Sequence, residues 1–240
     1  MGKSKDRSDP GRADVSTERP SLVRRDGALC LEWGGMSVCA DFSRLLQRTR
    51  NGRLGGEAAV KAAGGIKKEP RTAVDMTAGL GEDSFLLAAA GFTVYMIEAD
   101  RDIASLLRDG LERASADPEL RETVSRMSLT EGDSTLIESV PGLQSPPDVV
   151  YLDPMFPQRK KSGFVKKKLR LLALLEPPCT DEGAVRLLRA ALALRPGRIV
   201  IKRPSGGPPL GGARPDFSIP GDVIRYDVLV PGDGRFTEFS

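Results

Sequence analysis

The residues best suited to chemistry lie where a short apolar run ends. Residues 149–152 predict a buried strand, and Asp153, Pro154 and Phe156 come directly after it. In open α/β sheets, ligands bind beyond the carboxyl ends of the strands. A carboxylate and backbone carbonyls can accept N–H bonds from an exocyclic amine, and an aromatic ring can stack on a base. This set therefore favours alkylation of a planar amine. Taken alone, however, these residues fit a plain strand that ends in a proline turn equally well.

Glycines and acidic residues follow three earlier predicted strands. In chain order they are Asp75, Gly79 and Gly81, then Glu98, then Asp133 and Ser134. Two glycines ahead of a helix let the backbone approach a ligand closely. A carboxylate at the end of the next strand can accept both hydroxyls of a ribose, and Asp133 could meet an adenine amino group. Each acid alone is more typical of a helix cap, but together they predict a nucleoside site.

Two nucleoside cofactors fit such a site. A dinucleotide fold needs Gly-x-Gly-x-x-Gly, and the sixth position here is Ser84. Glu82 and Asp83 would also place negative charge where a pyrophosphate needs a free helix terminus. A sulfonium carries positive charge and tolerates these acids. The sequence therefore favours S-adenosylmethionine over NAD.

Composition narrows the class of protein further. The 240 residues are 40% hydrophobic and 29% charged, which is typical of a globular protein, and none is histidine. Any chemistry must therefore proceed without imidazole. No apolar run approaches the ~20 residues of a membrane helix. Cys30, Cys39 and Cys179 lack metal-ligand spacing, so we expect no metal, no membrane and a reducing cytoplasm.

Positive charge is concentrated beside the proposed amine site. The net charge is only +3, yet residues 158–170 contain seven Lys or Arg and no acid. A solvated helix face is the plain interpretation, but next to an amine-alkylating pocket phosphate contact is favoured. The candidates for RNA phosphate contact are Lys160, Lys161, Lys166, Lys167, Lys202 and Arg203.

The elements that must position these residues alternate between strand and helix. Strands are predicted at 73–76, 93–97, 127–130, 148–152, 198–202 and 223–230, with helices at 82–90, 102–114 and from the Thr180 cap to residue 194. This order predicts an α/β fold with a doubly wound, mostly parallel sheet whose closing strand can be antiparallel. Residues 1–20 are predicted to be a disordered tail. Residues 21–68 are predicted to form a small β-hairpin and helix region, with a hairpin around Gly34 and Gly35.

Five segments resemble the family of small-subunit rRNA guanine-N2 methyltransferases known as RsmJ. They are Gly55-Gly56-Glu57-Ala58 with Lys61, then residues 75–83, 149–157, 165–167 and 200–204. The resemblance implies a class I, Rossmann-like methyltransferase domain over residues 69–240, with S-adenosylmethionine as cofactor. The implied cofactor positions are Glu82, Asp83, Glu98, Ala99, Asp133, Ser134 and Asp153. The family usually has Arg where Glu82 and Ala99 stand and Ser where Asp133 stands.

The resemblance implies methylation of the exocyclic N2 of a guanine in small-subunit (16S) rRNA, either free or in a ribosomal subunit. Asp153 and the Pro154 backbone would orient the amine, and Phe156 would stack on the base. Asp75 and the Gly79 to Gly81 turn would support the methionine end of the cofactor. The alternatives are an amine methyltransferase acting on adenine N6 in RNA or DNA, or a catalytically silent RNA-binding assembly factor. An NAD oxidoreductase lacks the third glycine and an acid/base histidine.

Overall fold

A seven-stranded sheet forms the centre of the fold. The computed structural model describes residues 19–137, 139–156 and 171–232. Within these ranges the strands are β1 Ser21–Arg25, β2 Ala28–Trp33, β3 Met36–Val38, β4 Arg71–Asp75, β5 Phe92–Glu98, β6 Met127–Glu131, β7 Val149–Leu152, β8 Arg198–Pro204, β9 Phe217–Ile219 and β10 Ile224–Leu229. The central sheet has the order β6-β5-β4-β7-β8-β10-β9.

Helices cover both faces of this sheet. They are α1 Leu46–Thr49, α2 Ala58–Ala62, α3 Glu82–Ala89, α4 Arg101–Ala116, α5 Arg121–Val124 and α6 Asp181–Ala193, with 3₁₀ turns at Ser43–Leu45, Arg53–Gly56 and Leu210–Gly212. Side chains alternate across the central strands: Val149 and Tyr151 join the core with α3, whereas Val150 and Leu152 join the core with α6. The α/β prediction of a doubly wound, mostly parallel sheet is confirmed.

The directions of the strands show which edge of the sheet can bind a ligand. β4, β5, β6, β7 and β8 pair in parallel, while β10 pairs antiparallel with both β8 and β9. The chain proceeds outward from β4 through β5 to β6 and then returns to place β7 on the other side of β4. Such a reversal opens a crevice at the carboxyl ends of β4 and β7, where ligands of open α/β sheets bind.

A second, antiparallel sheet packs against α4. It has the order β1-β2-β3, so the predicted hairpin around Gly34 and Gly35 gains a third strand. Asp109 of α4 joins the two parts: its carboxylate accepts from the Leu29 backbone N–H at 3.0 Å and from Arg24 at 3.0 Å. Gly110 allows close approach, because a Cβ there would lie 2.6 Å from the Ala40 Cβ.

The element boundaries differ slightly from the prediction. The edge strand β9 was missed because it has only three residues and Phe217 and Ser218 are exposed. The Thr180 cap is confirmed, since its hydroxyl accepts from the Gly183 N–H at 3.0 Å.

No helix in the part of the chain that the structure describes is long and apolar enough to cross a membrane.

Candidate active site

The turn after β4 is organised by a buried carboxylate. Asp75 is 2% exposed, and its two oxygens accept from the Ser84 hydroxyl at 2.5 Å and the Thr77 N–H at 3.1 Å. Burial raises the pKa of Asp75 to about 7. One oxygen is engaged within the turn and the other by α3, so Asp75 supports the loop between β4 and α3.

Glycine is required twice in this loop. Gly79 and Gly81 have φ values of 56° and 75°, in the left-handed region that other residues rarely adopt. At Gly81 a Cβ would also lie 2.7 Å from the Leu107 side chain. At Gly79 a Cβ would meet nothing within 4 Å, so the strain there comes from the backbone conformation alone.

Glu98 at the end of β5 is fixed by backbone donors. Its carboxylate accepts from the Gly79 N–H at 2.7 Å and the Asp100 N–H at 2.9 Å, and the residue is 1% exposed. Burial, together with the neighbouring carboxyl of Glu176, raises the pKa of Glu98 to about 8. Glu98 therefore joins the glycine loop of β4 to the end of β5, and Ala99 beside it is exposed.

The third strand end lies next to Glu98. The Gly132 N–H donates to the Glu98 carbonyl at 2.8 Å, and Asp133 and Ser134 follow. Asp133 is exposed and caps its own turn, accepting from the backbone N–H and hydroxyl of Thr135 at 2.8 and 2.7 Å. Ser134 is buried. The three predicted strand ends thus meet at one edge of the sheet.

A cation and two carboxylates connect α3, β7 and β8. Lys202 Nζ lies 2.7 Å from Asp83 Oδ2 and 2.9 Å from Asp153 Oδ2. The Tyr151 hydroxyl also donates to Asp83 Oδ2, at 2.7 Å. Burial raises the pKa of Asp153, and Lys202 opposes this shift. Burial also acts to raise the pKa of Asp83, but the attraction of the Lys202 ammonium outweighs burial, and the Asp83 pKa is lowered.

The turn after β7 is held on several sides. The Asp153 N–H donates to Thr77 Oγ1 at 2.6 Å, and Pro154 is buried. Phe156 is half-buried, with the Arg203 guanidinium 3.8 Å from its ring centroid. Arg203 is 5% exposed and donates to the Pro208 carbonyl at 2.9 Å from Nε. This cation–π contact fixes one face of the ring.

The structure brings together most of the predicted site residues. The three strand ends and the Asp153 turn share one edge of the sheet, while Glu82 is exposed at the start of α3. Lys160, Lys161, Lys166 and Lys167 lie outside the described residues. Lys202 and Arg203 are engaged with Asp83, Asp153, Phe156 and Pro208, so their present partners favour structural roles over phosphate contact.

The connection between Tyr151, Asp83 and Lys202 was not predicted from the sequence. Tyr151 was treated only as an apolar strand residue, and Asp83 and Lys202 are 119 positions apart. A hydroxyl in the otherwise aliphatic β7 was the available signal. Among the residues described, no group of three or more His, Cys, Asp or Glu is arranged to hold a metal ion.

Comparison with known proteins gives consistent matches. Residues 19–231 match a family model described as "Putative SAM-dependent methyltransferase". Ribosomal RNA small subunit methyltransferase J of Thioalkalivibrio sulfidiphilus is 42% identical over 201 residues, covering 81% of this chain and 76% of the relative. The protein of the same name from Pseudomonas aeruginosa strain UCBPP-PA14 is 42% identical over 228 residues, covering 91% and 85%.

A solved structure is also similar. The crystal structure of a SAM-dependent methyltransferase from Neisseria gonorrhoeae has a TM-score of 0.71 and 32% sequence identity. The match covers 91% of this chain and 86% of that chain.

Proposed function

This chain belongs to the ribosomal RNA small subunit methyltransferase J family, and we propose that it methylates the exocyclic N2 of a guanine in small-subunit rRNA, using S-adenosylmethionine. The observation that carries this proposal is the position of the Asp153 to Phe156 turn. It lies at the end of β7, beside the strand ends that carry Gly79 and Glu98.

The residues at the edge of the sheet fit the proposed cofactor. Glu98 offers a fixed carboxyl group whose oxygens can accept from ribose hydroxyls, and the Gly79 backbone leaves room for close approach. Glu82 in the first turn of α3 places negative charge near the loop, whereas the charge of Asp83 beside it is compensated by Lys202. The Glu82 charge disfavours a pyrophosphate and suits a cationic sulfonium.

Asp153, Pro154 and Phe156 would act on the guanine. When bound, S-adenosylmethionine supplies an electrophilic methyl group, and the electron pair of the broken C–S bond stays on the sulfur. The guanine amine is neutral at pH 7, so no strong base is needed to create the nucleophile. The Asp153 carboxylate and the Pro154 carbonyl would accept its N–H groups and align its lone pair with the methyl carbon. Asp153 can also take the proton that the methylated amine must release.

The base and its RNA would be held by neighbouring groups. Phe156 presents an aromatic ring, already fixed on one face by Arg203, on which an extruded base could stack. The basic segment 158–170 follows this turn directly in the sequence, and we propose that it contacts phosphates. The partner is small-subunit rRNA, free or within a subunit, and the cytoplasm is the corresponding location.

A methyl-transfer assay with nucleoside analysis tests this proposal. The protein is incubated with S-adenosylmethionine labelled in its methyl group and with small ribosomal subunits or their naked rRNA. We expect labelled N2-methylguanosine after digestion. Labelled N6-methyladenosine would instead support the adenine alternative, since a turn of this kind does not by itself distinguish purine amines. No label in any nucleoside would support a silent RNA-binding factor.

A further inference from the structure

A partly buried lysine bridges two carboxylates at the proposed methyl-transfer site. Lys202 Nζ is within 2.9 Å of both Asp83 and Asp153, and its side chain is 21% exposed. A lysine that contacts RNA phosphates normally extends its ammonium into solvent. To reach a phosphate, Lys202 would have to give up two short ion pairs in a largely desolvated position, which is costly.

Asp83 is the anchor of this bridge. Its Oδ2 receives both the Lys202 ammonium and the Tyr151 hydroxyl, at 2.7 Å each. Tyr151 is 1% exposed, so its hydroxyl is held by core packing and brings a rigid donor to Asp83. The Asp83 carboxylate is therefore fixed from two elements, β7 and β8, in addition to its own helix α3.

Asp153 depends on Lys202 for the direction of its side chain. Its backbone is fixed by the bond from its N–H to Thr77 and by the pairing of Leu152 with Ile201. That pairing brings Lys202, the next residue of β8, beside Asp153. The carboxylate itself is 35% exposed and contacts Lys202 at 2.9 Å. Lys202 thus compensates the charges of two carboxylates that would otherwise repel each other.

We propose that Lys202 is a positioning residue for methyl transfer: anchored by Asp83, it holds the Asp153 carboxylate ionised and directed at the reacting amine. This inference rests on the proposed function and deepens it. It also gives Asp83 and Lys202 new roles. Asp83 anchors the ammonium and need not touch the cofactor, and Lys202 acts on Asp153 and need not touch a phosphate.

The first test separates turnover from RNA binding. Lys202→Met should lower kcat by about 100-fold, the loss expected when a reacting group moves by about 1 Å. Affinity for small subunits, measured by filter binding, should stay as in the wild type. Lys68→Met is the matched control, since Lys68 is an exposed lysine outside the site, and it should keep the wild-type kcat.

Lys202→Arg covers the case in which Lys202→Met does not fold. It keeps the positive charge, but its planar fork cannot make the same two contacts from one atom. Turnover should fall while subunit affinity stays unchanged. Wild-type turnover in Lys202→Arg would overturn the proposal. So would weaker subunit binding with a flatter salt dependence and full turnover at saturation, because that result identifies a phosphate contact.

The second test does not depend on activity. The Asp153 carboxyl can be titrated by ¹³C NMR without cofactor or RNA, with Asp153→Asn used for assignment. Removing Lys202 removes the cation that lowers the Asp153 pKa, so the titration of Lys202→Met should move to higher pH. The acid limb of the pH–rate profile should move in the same direction. An unchanged titration would overturn the proposal.

Other titratable and charged groups surround this network and are kept constant in the comparison. They are Asp75 after β4, Asp83 of α3, Tyr151 of β7, Tyr226 of β10, Arg48 of α1 and Glu176. If the wild type transferred no methyl group to rRNA, the proposed function would fail. The carboxyl titration would still decide whether Lys202 controls Asp153.

Discussion

Single carboxylates at the strand ends differ in what holds them. Asp75 accepts from Thr77 in its own turn and from Ser84 of α3, Asp133 caps its own turn, and the Asp153 carboxylate is oriented by Lys202. Glu98 is held by two backbone N–H groups and adjoins the carboxyl of Glu176. Of these acids, Glu98 and Asp153 are the ones we expect to act on ligands.

Glu98→Ala should weaken S-adenosylmethionine binding by about 1–3 kcal/mol, because the ribose hydroxyls would lose a hydrogen-bond acceptor. Isothermal calorimetry measures the effect. Glu122→Ala is the control, since the Glu122 side chain is 87% exposed. An affinity equal to that of the control would remove Glu98 from the cofactor site.

Glu176→Gln should change how stability depends on pH. Burial and the Glu176 carboxyl raise the Glu98 pKa from 4.5 to about 8, so the folded protein keeps a proton that the unfolded chain releases. This contribution to stability is fully present below pH 4.5 and is lost as the pH rises through about 8. Removing the Glu176 charge lowers the Glu98 pKa and reduces that loss.

The variant should therefore gain about 1 kcal/mol relative to the wild type between pH 6 and 8.5, the equivalent of one pKa unit. Urea unfolding at the two pH values measures it. A difference between variant and wild type that is the same at both pH values would contradict the explanation.

At the scale of elements, the apolar patterns were sufficient to predict most of the sheet. β7 and β8 carry continuous apolar runs because both faces of the sheet are covered, and both were predicted. β1 was missed because two of its five residues are exposed arginines at its end. The bridge from Lys202 to Asp83 could not be predicted, since no local pattern relates residues that far apart.

The attachment of the N-terminal sheet to α4 depends on one carboxylate. Asp109 is 6% exposed and accepts from the Leu29 N–H, Arg24 and Arg113. Asp109→Ala should lower the free energy of unfolding by about 1–3 kcal/mol, because the Leu29 N–H and two arginines lose their charged acceptor. Chemical denaturation measures it, with the exposed Glu112→Ala on the same helix as control. Equal stability of the two variants would show that apolar packing alone attaches the sheet.

At the scale of the whole molecule, we expect separate parts to bind RNA and to transfer the methyl group. The basic segment 158–170 lies outside the described residues, so its phosphate-contact role stays a prediction. Exchange of Lys166 and Lys167 for Glu should weaken subunit binding and reduce the salt slope by about one unit per lost contact. Cofactor affinity should not change. Normal subunit binding with an unaltered salt slope would show that the segment is a solvated face that makes no phosphate contact.

The catalytic role of the Asp153 turn can be tested by a single-turnover measurement on Asp153→Ala, together with the affinity of this variant for small subunits. We predict that methyl transfer from labelled S-adenosylmethionine is abolished while subunit binding stays close to that of the wild type. The reason is that Asp153, at the end of β7, is the group proposed to contact the reacting amine, whereas the phosphate contacts are assigned to the basic segment 158–170. Methyl transfer at the wild-type rate would contradict the assignment of this turn as the site of catalysis.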